Sequence, residues 1–206
     1  MLFTLHNVAV AYDNKPIFSP VSFQLNTGEK MAISGPSGKG KSSLFNVLLG
    51  FEHRYQGEVF YDGKPLSPAV IQEIRKQVAW LPQEINVLPT QTVREFIYTP
   101  FEYQVNKHKR PAINQVESIL EEFDLKAEIL DHTIGSVSGG EKQRVGILTV
   151  LLLQRSILFL DEPVAALDAR MKKKVVDRLL GNKQLTVLST SHDAVWNDHC
   201  DKIVTL

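Results

Sequence analysis

The sequence has a single cysteine, Cys200, so no disulfide can form within the chain, and thiol chemistry of this kind suits a reducing compartment. It has no excess charge of either sign: 23 Lys+Arg balance 23 Asp+Glu. Proteins that coat nucleic acid or anionic lipid by bulk attraction carry a net basic footprint, and this chain has none. It also lacks a long hydrophobic run. The longest apolar stretch, from Val145 to Leu153, is interrupted by Gly146 and Thr149 and stops at Gln154-Arg155. That is about half of the roughly 20 residues a spanning helix needs. The start, MLFTLHNVAVAYDN, shows no basic segment followed by an apolar core, so nothing there resembles a signal peptide. Internal repeats and low-complexity segments are absent too. What remains, 206 residues at 43% hydrophobic and 22% charged, is the composition of a folded domain.

The first third reads as strands: FTLHNVAVAY alternates apolar and polar residues, VSFQL follows, KMAIS reads as buried, and GEVFYDGKPL ends in the turn pair Asp62-Gly63. From about Leu88 to Gln143 the pattern is helical, broken by Pro100 and Pro111. The last third alternates helix and strand, through EKQRVGILTVLLLQ, ILFLD, ARMKKKVVDRLL, TVLSTS and DKIVTL. Such alternation predicts an α/β fold with a mainly parallel sheet covered by helices on both faces.

Three clusters carry chemistry. Gly35-Pro36-Ser37-Gly38-Lys39-Gly40-Lys41-Ser42, followed by Ser43, fits the pattern G-x-x-x-x-G-K-[ST] between a buried strand and a helix. Phosphate oxygens need several inward-pointing backbone N–H groups, hence glycines where side chains would block them, and the helix that follows aims its positive end at the same anion. Lys41 suits the β- and γ-phosphates, and the Ser42 hydroxyl suits Mg²⁺. At the end of ILFLDE, Asp161 suits Mg²⁺, usually through its water shell, and Glu162 could accept a proton from an attacking water. The third cluster is Val137-Ser138-Gly139-Gly140-Glu141-Lys142-Gln143-Arg144. Ser138 with Glu141 reads locally as a capping box, yet two glycines in a first helical turn are costly and leave N–H groups open to an anion.

With VSGGE upstream of ILFLDE, the sequence resembles the ATP-binding subunit of ABC transporters along nearly the whole chain. VSGGE looks like that family's LSGGQ signature, with Val137 and Glu141 as variants. The resemblance implies roles for four further positions. Tyr12 would stack on adenine. Gln83, in WLPQE, would join the core to the helical insert and sense Mg²⁺ and attacking water. Asp168 closes the loop Ala165-Ala166-Leu167-Asp168, where Ala165 replaces a common serine, and His192, in TSHD, would contact the γ-phosphate. Taken alone, Tyr12 is a strand-face aromatic, Gln83 a loop residue, Asp168 an N-cap and His192 a turn residue.

The resemblance further implies one ABC domain over residues 1–206, with an N-terminal antiparallel β subdomain and a helical insert near 88–143. ATP and Mg²⁺ are the implied ligands. Ser42, Gln83 and Asp161 would hold the metal, partly through water. Glu162, His192, Lys41 and Gln83 would form the catalytic set, and Ser138, Gly139 and Gly140 would close on a nucleotide held by another subunit. The implied partners are an integral membrane transporter subunit and a second copy of the chain or a sister ATPase, with no nucleic acid, at the cytoplasmic face of a membrane. The segment FIYTPFEYQ and the signature have a fainter resemblance to bacterial iron exporters. An ABC ATPase of an assembly complex that moves no solute is the alternative, and a small-molecule kinase using the same cradle is a third reading, which VSGGE and Asp161-Glu162 oppose. Lys107–Arg110 and Lys172–Lys174 read as solvated charge runs. The His192–Asp201 region fits no standard zinc spacing.

Overall fold

In the computed structural model, which describes residues 1–12, 15–36 and 38–206 with Tyr12 and Lys15 through their backbone alone, β1 spans Phe3–Tyr12. Phe3 and Leu5 are buried, then Val8 and Val10, so the inward parity switches within one strand. The cause is a bulge at Asn7, whose φ is 49°, with the pairing register shifting there toward both neighbours. Gly57 faces this bulge: a Cβ on it would lie 2.3 Å from the Asn7 carbonyl oxygen. β1 pairs antiparallel with β2 (Lys15–Pro16) and β3 (Val21–Leu25).

The chain then leaves this sheet as β4 (Lys30–Ser34) and α1 (Lys41–Leu48) and returns as β5 (Tyr55–Tyr61), which pairs with β1, and β6 (Lys64–Pro65). The Asp62-Gly63 turn joining β5 to β6 holds both residues at positive φ, as an Asp-Gly hairpin requires. α2 (Pro68–Gln77) follows and was not expected from the sequence. Its start is nonetheless written there: the Ser67 side chain accepts from the Val70 N–H, Pro68 sits in the first turn, and Val70 and Ile74 face inward.

β7 (Val78–Leu81) is followed by α3 (Val93–Tyr98), α4 (Ile113–Glu122) and short 3₁₀ turns, then α5 (Gly139–Leu152). β8 (Ile157–Asp161), α6 (Ala169–Leu179), β9 (Thr186–Thr190), α7 (Ala194–Asp198) and β10 (Lys202–Thr205) complete the chain. The second sheet has the order β10-β4-β9-β8-β7 and is parallel throughout.

Burial on both faces explains why its strands are continuous apolar runs. In β8, Ile157 and Phe159 join a core shared with the antiparallel sheet and α1, while Leu158 and Leu160 join a core shared with α3 to α6. Phe159 makes the first junction, with ring centroids 5.6 Å from Phe3 and 5.4 Å from Phe45. Ile97 and Phe101, from the aromatic segment after Gln83, are fully buried in the second core, whereas Tyr103 is exposed. Because the strands are parallel and in register, Leu81, Asp161, Thr190 and Ser34 end at one edge. The site is built on that edge.

Candidate functional site

The loop after β4 has φ values of 151°, 77° and 80° at Gly35, Gly38 and Gly40, backbone that side-chain-bearing residues rarely adopt. Gly40 is the N-cap of α1 and supplies no side-chain cap, so the first N–H groups of the helix face the adjoining cleft. That cleft, about 690 Å³, is lined by Gly38, Gly40, Lys41, Ser42 and Ser43 from this loop and helix. Gln83, Asp161, Glu162 and His192 line it from the ends of three other strands. Pro36 and Lys39 are exposed on the loop, and Ser37 lies outside the described residues.

Lys41 is buried, and its ammonium donates to the carbonyl oxygens of Gly35 (2.7 Å) and Pro36 (3.2 Å). His192 Nε2 lies 2.8 Å from the same nitrogen and 3.3 Å from Glu162 Oε1. Asp161 is almost fully buried. Its Oδ2 accepts from the Ser42 hydroxyl at 2.6 Å and its Oδ1 from the Thr190 hydroxyl at 2.5 Å. An anionic oxygen pair anchored on one side by Thr190 and shared on the other with a serine hydroxyl, in a cleft that Gln83 also lines, is a hard oxygen donor set. It offers one carboxylate and room for water and phosphate oxygens, which suits Mg²⁺. Among the described residues no group of three or more His, Cys, Asp and Glu could hold a metal. Burial pushes the Cys200 thiol up to about 11.

Glu162 adopts φ 49°, a strained value for a residue with a side chain. Two residues that the sequence reading passed over hold it there. Its N–H donates to the Thr190 hydroxyl (3.0 Å) and carbonyl (3.2 Å). From α5, the buried Gln143 amide donates to the Pro163 carbonyl at 2.9 Å and, more weakly, to that of Glu162 at 3.4 Å. Gln143 stands inside the motif VSGGEKQR, so a signal for it existed. Thr190 is only the last residue of TVLST, and no local pattern marks it.

Other predicted residues stand apart from this cleft. Ser138 caps α5 in a full capping box: Glu141 N–H donates to its hydroxyl, and its own N–H and hydroxyl donate to Glu141 Oε2 at 2.8 and 2.7 Å. These bonds hold the Glu141 carboxyl below its ordinary range. Ser138 and Gly139 are exposed, and neither they nor Gly140 line the cleft. Asp168 N-caps α6, accepting from the Met171 N–H at 2.9 Å, also outside the cleft. The local readings of both residues therefore hold. Tyr12 ends β1, and its side chain lies outside what is described.

Lys107, His108, Arg110 and Lys173 are exposed, as solvated charge runs predict, whereas Lys109, Lys172 and Lys174 are partly buried. Lys172 lines the cleft, paired with Asp193 at 2.6 Å. Lys173 pairs with Asp177, and Lys174 with Asp124 and the Glu122 carbonyl. Lys109 reaches the Gln154 carbonyl, and Arg110 pairs with Glu102 over the Tyr98 ring. Among the described residues no helix is long and apolar enough to cross a membrane.

The profile described as ABC transporter matches residues 18–165. Over 208 aligned residues the chain is 32% identical to the probable iron export ATP-binding protein FetA of Escherichia coli (strain K12), covering 100% of this chain and 91% of that protein. It is 29% identical to the lipopolysaccharide export system ATP-binding protein LptB of Haemophilus influenzae, covering 93% of this chain and 80% of that one. Among solved structures, a post-hydrolysis dimer of the ATP-binding cassette MJ0796 bound to ADP and Pi superposes with a TM-score of 0.84 at 26% identity, over 100% of this chain and 94% of the other.

Proposed function

The chain belongs to the ABC transporter family as an ATP-binding subunit, and from that premise we propose how its residues divide the work of an ATP-driven transport motor. It binds ATP and hydrolyses it to ADP and phosphate. In our reading residues 1–206 form one domain with a helical insert at 88–143. Residues 35–43 cradle the phosphates, Tyr12 stacks on adenine, and Lys41 and His192 bind the γ-phosphate. Ser42, Asp161 and Gln83 would hold Mg²⁺, partly through water. When bound, the ion neutralises charge on the β- and γ-phosphate oxygens.

Glu162 is the general base. Its carboxylate lies in the cleft beside His192, where it takes a proton from the attacking water as the oxygen bonds to the γ-phosphorus and the bond to ADP breaks. The rigid N–H and C=O anchors of Glu162 fix the carboxylate's direction, which is worth more in rate than in affinity.

One observation carries the larger reading: the cradle, both carboxylates and His192 converge on one cleft, while Ser138, Gly139, Gly140 and Asp168 do not reach it. We assign those four to a nucleotide held by a second subunit, so that two chains close head to tail over two ATP molecules. The pair would act on an integral membrane subunit at the cytoplasmic face, with the segment from Gln83 to Tyr103 as the docking region. Substrate choice we assign to that membrane subunit.

The test is the solution mass of Glu162→Gln with Mg·ATP and with Mg·ADP, alone and with the membrane partner. A dimer with ATP only, together with about 10²–10⁴-fold slower turnover, is expected. A monomer with both nucleotides even when the partner is present overturns the sandwich, and wild-type turnover overturns the base assignment.

A further inference from the structure

Lys172 sits on α6, in a run of three lysines that sequence alone assigns to a solvated face, yet its ammonium lines the nucleotide cleft 2.6 Å from Asp193 Oδ2. The pair is largely shielded, with side chains 26% and 18% exposed. Asp193 directly follows His192, and its bonds hold much of the turn. Oδ1 accepts from the Trp196 N–H at 3.1 Å as the N-cap of α7, and its own N–H donates to the Ser191 hydroxyl at 3.0 Å. Trp196 is fully buried and bonded through Nε1 to the Ser189 hydroxyl, which anchors α7 to β9.

Those anchors lie along the chain from β9 to α7, on either side of His192, and the Ser191 N–H also donates to the Ile33 carbonyl of β4 at 3.4 Å. Thr190, at the end of β9, binds the catalytic loop through the Glu162 N–H and Asp161 Oδ1; past that strand the cross-links include the His192–Glu162 contact and the Lys172–Asp193 pair. α6 begins at the end of the segment that runs on from Glu162, with Asp168 as its cap. Lys172 therefore ties the turn that carries His192 to the element that continues the Glu162 loop. Burial opposes the Asp193 charge, and the Lys172 ammonium together with the Trp196 and Val195 N–H groups outweighs it, holding the carboxyl below its ordinary range.

We propose that Lys172 is a positioning residue for His192: by holding Asp193 it fixes the Ser191–Asp193 turn so that the half-exposed imidazole stays within reach of Lys41 and Glu162. The inference rests on the γ-phosphate role given to His192 above. Lys172 already has its carboxylate partner, so its charge is engaged with the protein and not with nucleotide.

The experiment is steady-state phosphate release by the full chain with Lys172→Met, Lys172→Arg, Asp193→Asn, His192→Ala and the double variant Lys172→Met/His192→Ala. Asn at 193 keeps the cap acceptor for Trp196, so that variant removes the charge while sparing α7. The expected result is kcat lowered about 10-fold by Lys172→Met and by Asp193→Asn, with KM for ATP moved less than about 2-fold, the scale of a small misplacement of a reacting group. Lys172→Arg should recover most of the rate, and Lys172→Met should cost nothing further once His192 is Ala. A rise in KM at constant kcat would make Lys172 a nucleotide contact and overturn the proposal. So would an equal loss in the His192→Ala background, or a wild-type kcat for Lys172→Met. If His192→Ala itself turns over at the wild-type rate, the reading of His192 fails.

Discussion

His192 Nε2 stands between Lys41 Nζ, 2.8 Å away, and Glu162 Oε1, 3.3 Å away. One ring nitrogen cannot serve both. With a lone pair it accepts from Lys41, and with a proton it donates to Glu162. In the first state the Lys41 ammonium has three acceptors for three protons, namely Gly35 O, Pro36 O and His192. The loop from Gly35 to Lys41 is thus held in shape by the Lys41 ammonium.

Lys41→Met removes that cation with little change in length. Nucleotide affinity should fall about 10- to 100-fold, the range for losing hydrogen bonds to a charged group. Titration of ATP by calorimetry gives the number, and unchanged affinity would place the phosphates elsewhere.

Gln143→Leu keeps the bulk at a buried site but leaves the Pro163 carbonyl without its donor and the strained Glu162 backbone with one anchor fewer. The unmade bond should cost about 1–3 kcal/mol of stability. Turnover should drop more than ATP affinity does, because the residue acts on the base and not on the cradle. Denaturant melts alongside kcat and KM check both halves.

Glu141 gives a pH test with a definite sign. Its carboxyl is held below the ordinary range by the Ser138 hydroxyl and N–H, so the charged form is the one that stabilises the start of α5. That contribution is complete above about pH 4.3, the unfolded value, and disappears as pH falls through the lower folded value. Glu141→Gln retains a capping-box side chain but has nothing to titrate. The wild type should lose melting temperature relative to this variant on going from about pH 5 to pH 3, while parallel curves would refute the assignment.

Glycine and charge marked the 35–43 loop and the Asp161-Glu162 pair in advance, and the fold brings both to one cleft. The Asp62-Gly63 hairpin and the parallel sheet were readable because turn chemistry and strand–helix alternation are local properties. α2 escaped notice although Ser67-Pro68 announces it, since its two inward residues, Val70 and Ile74, make a thin apolar stripe. The partners of Glu162 and Lys172 were beyond any local pattern. Thr190, Gln143 and Asp193 reach them from other strands and helices, and a residue's neighbour across a sheet is fixed only when the sheet forms. Ser138 and Asp168 show a different limit: the local cap and the role implied by the family resemblance make the same demand on the chain, so finding the cap in place does not decide between them.

The strand order has a consequence for how the molecule comes into being. β4, which launches the cradle, is flanked in the finished sheet by β9 and β10, with Lys30 beside Val187 and Met31 beside Lys202. During synthesis from the N-terminus β4 emerges more than 150 residues ahead of both neighbouring strands. Contacts this distant in sequence form slowly, and until they do β4 has two open edges. The loop that β4 launches therefore has no rigid support in a partly made chain. Catalytic competence thus waits on β9 and β10, and a chain that has not yet added them has no assembled site with which to spend ATP.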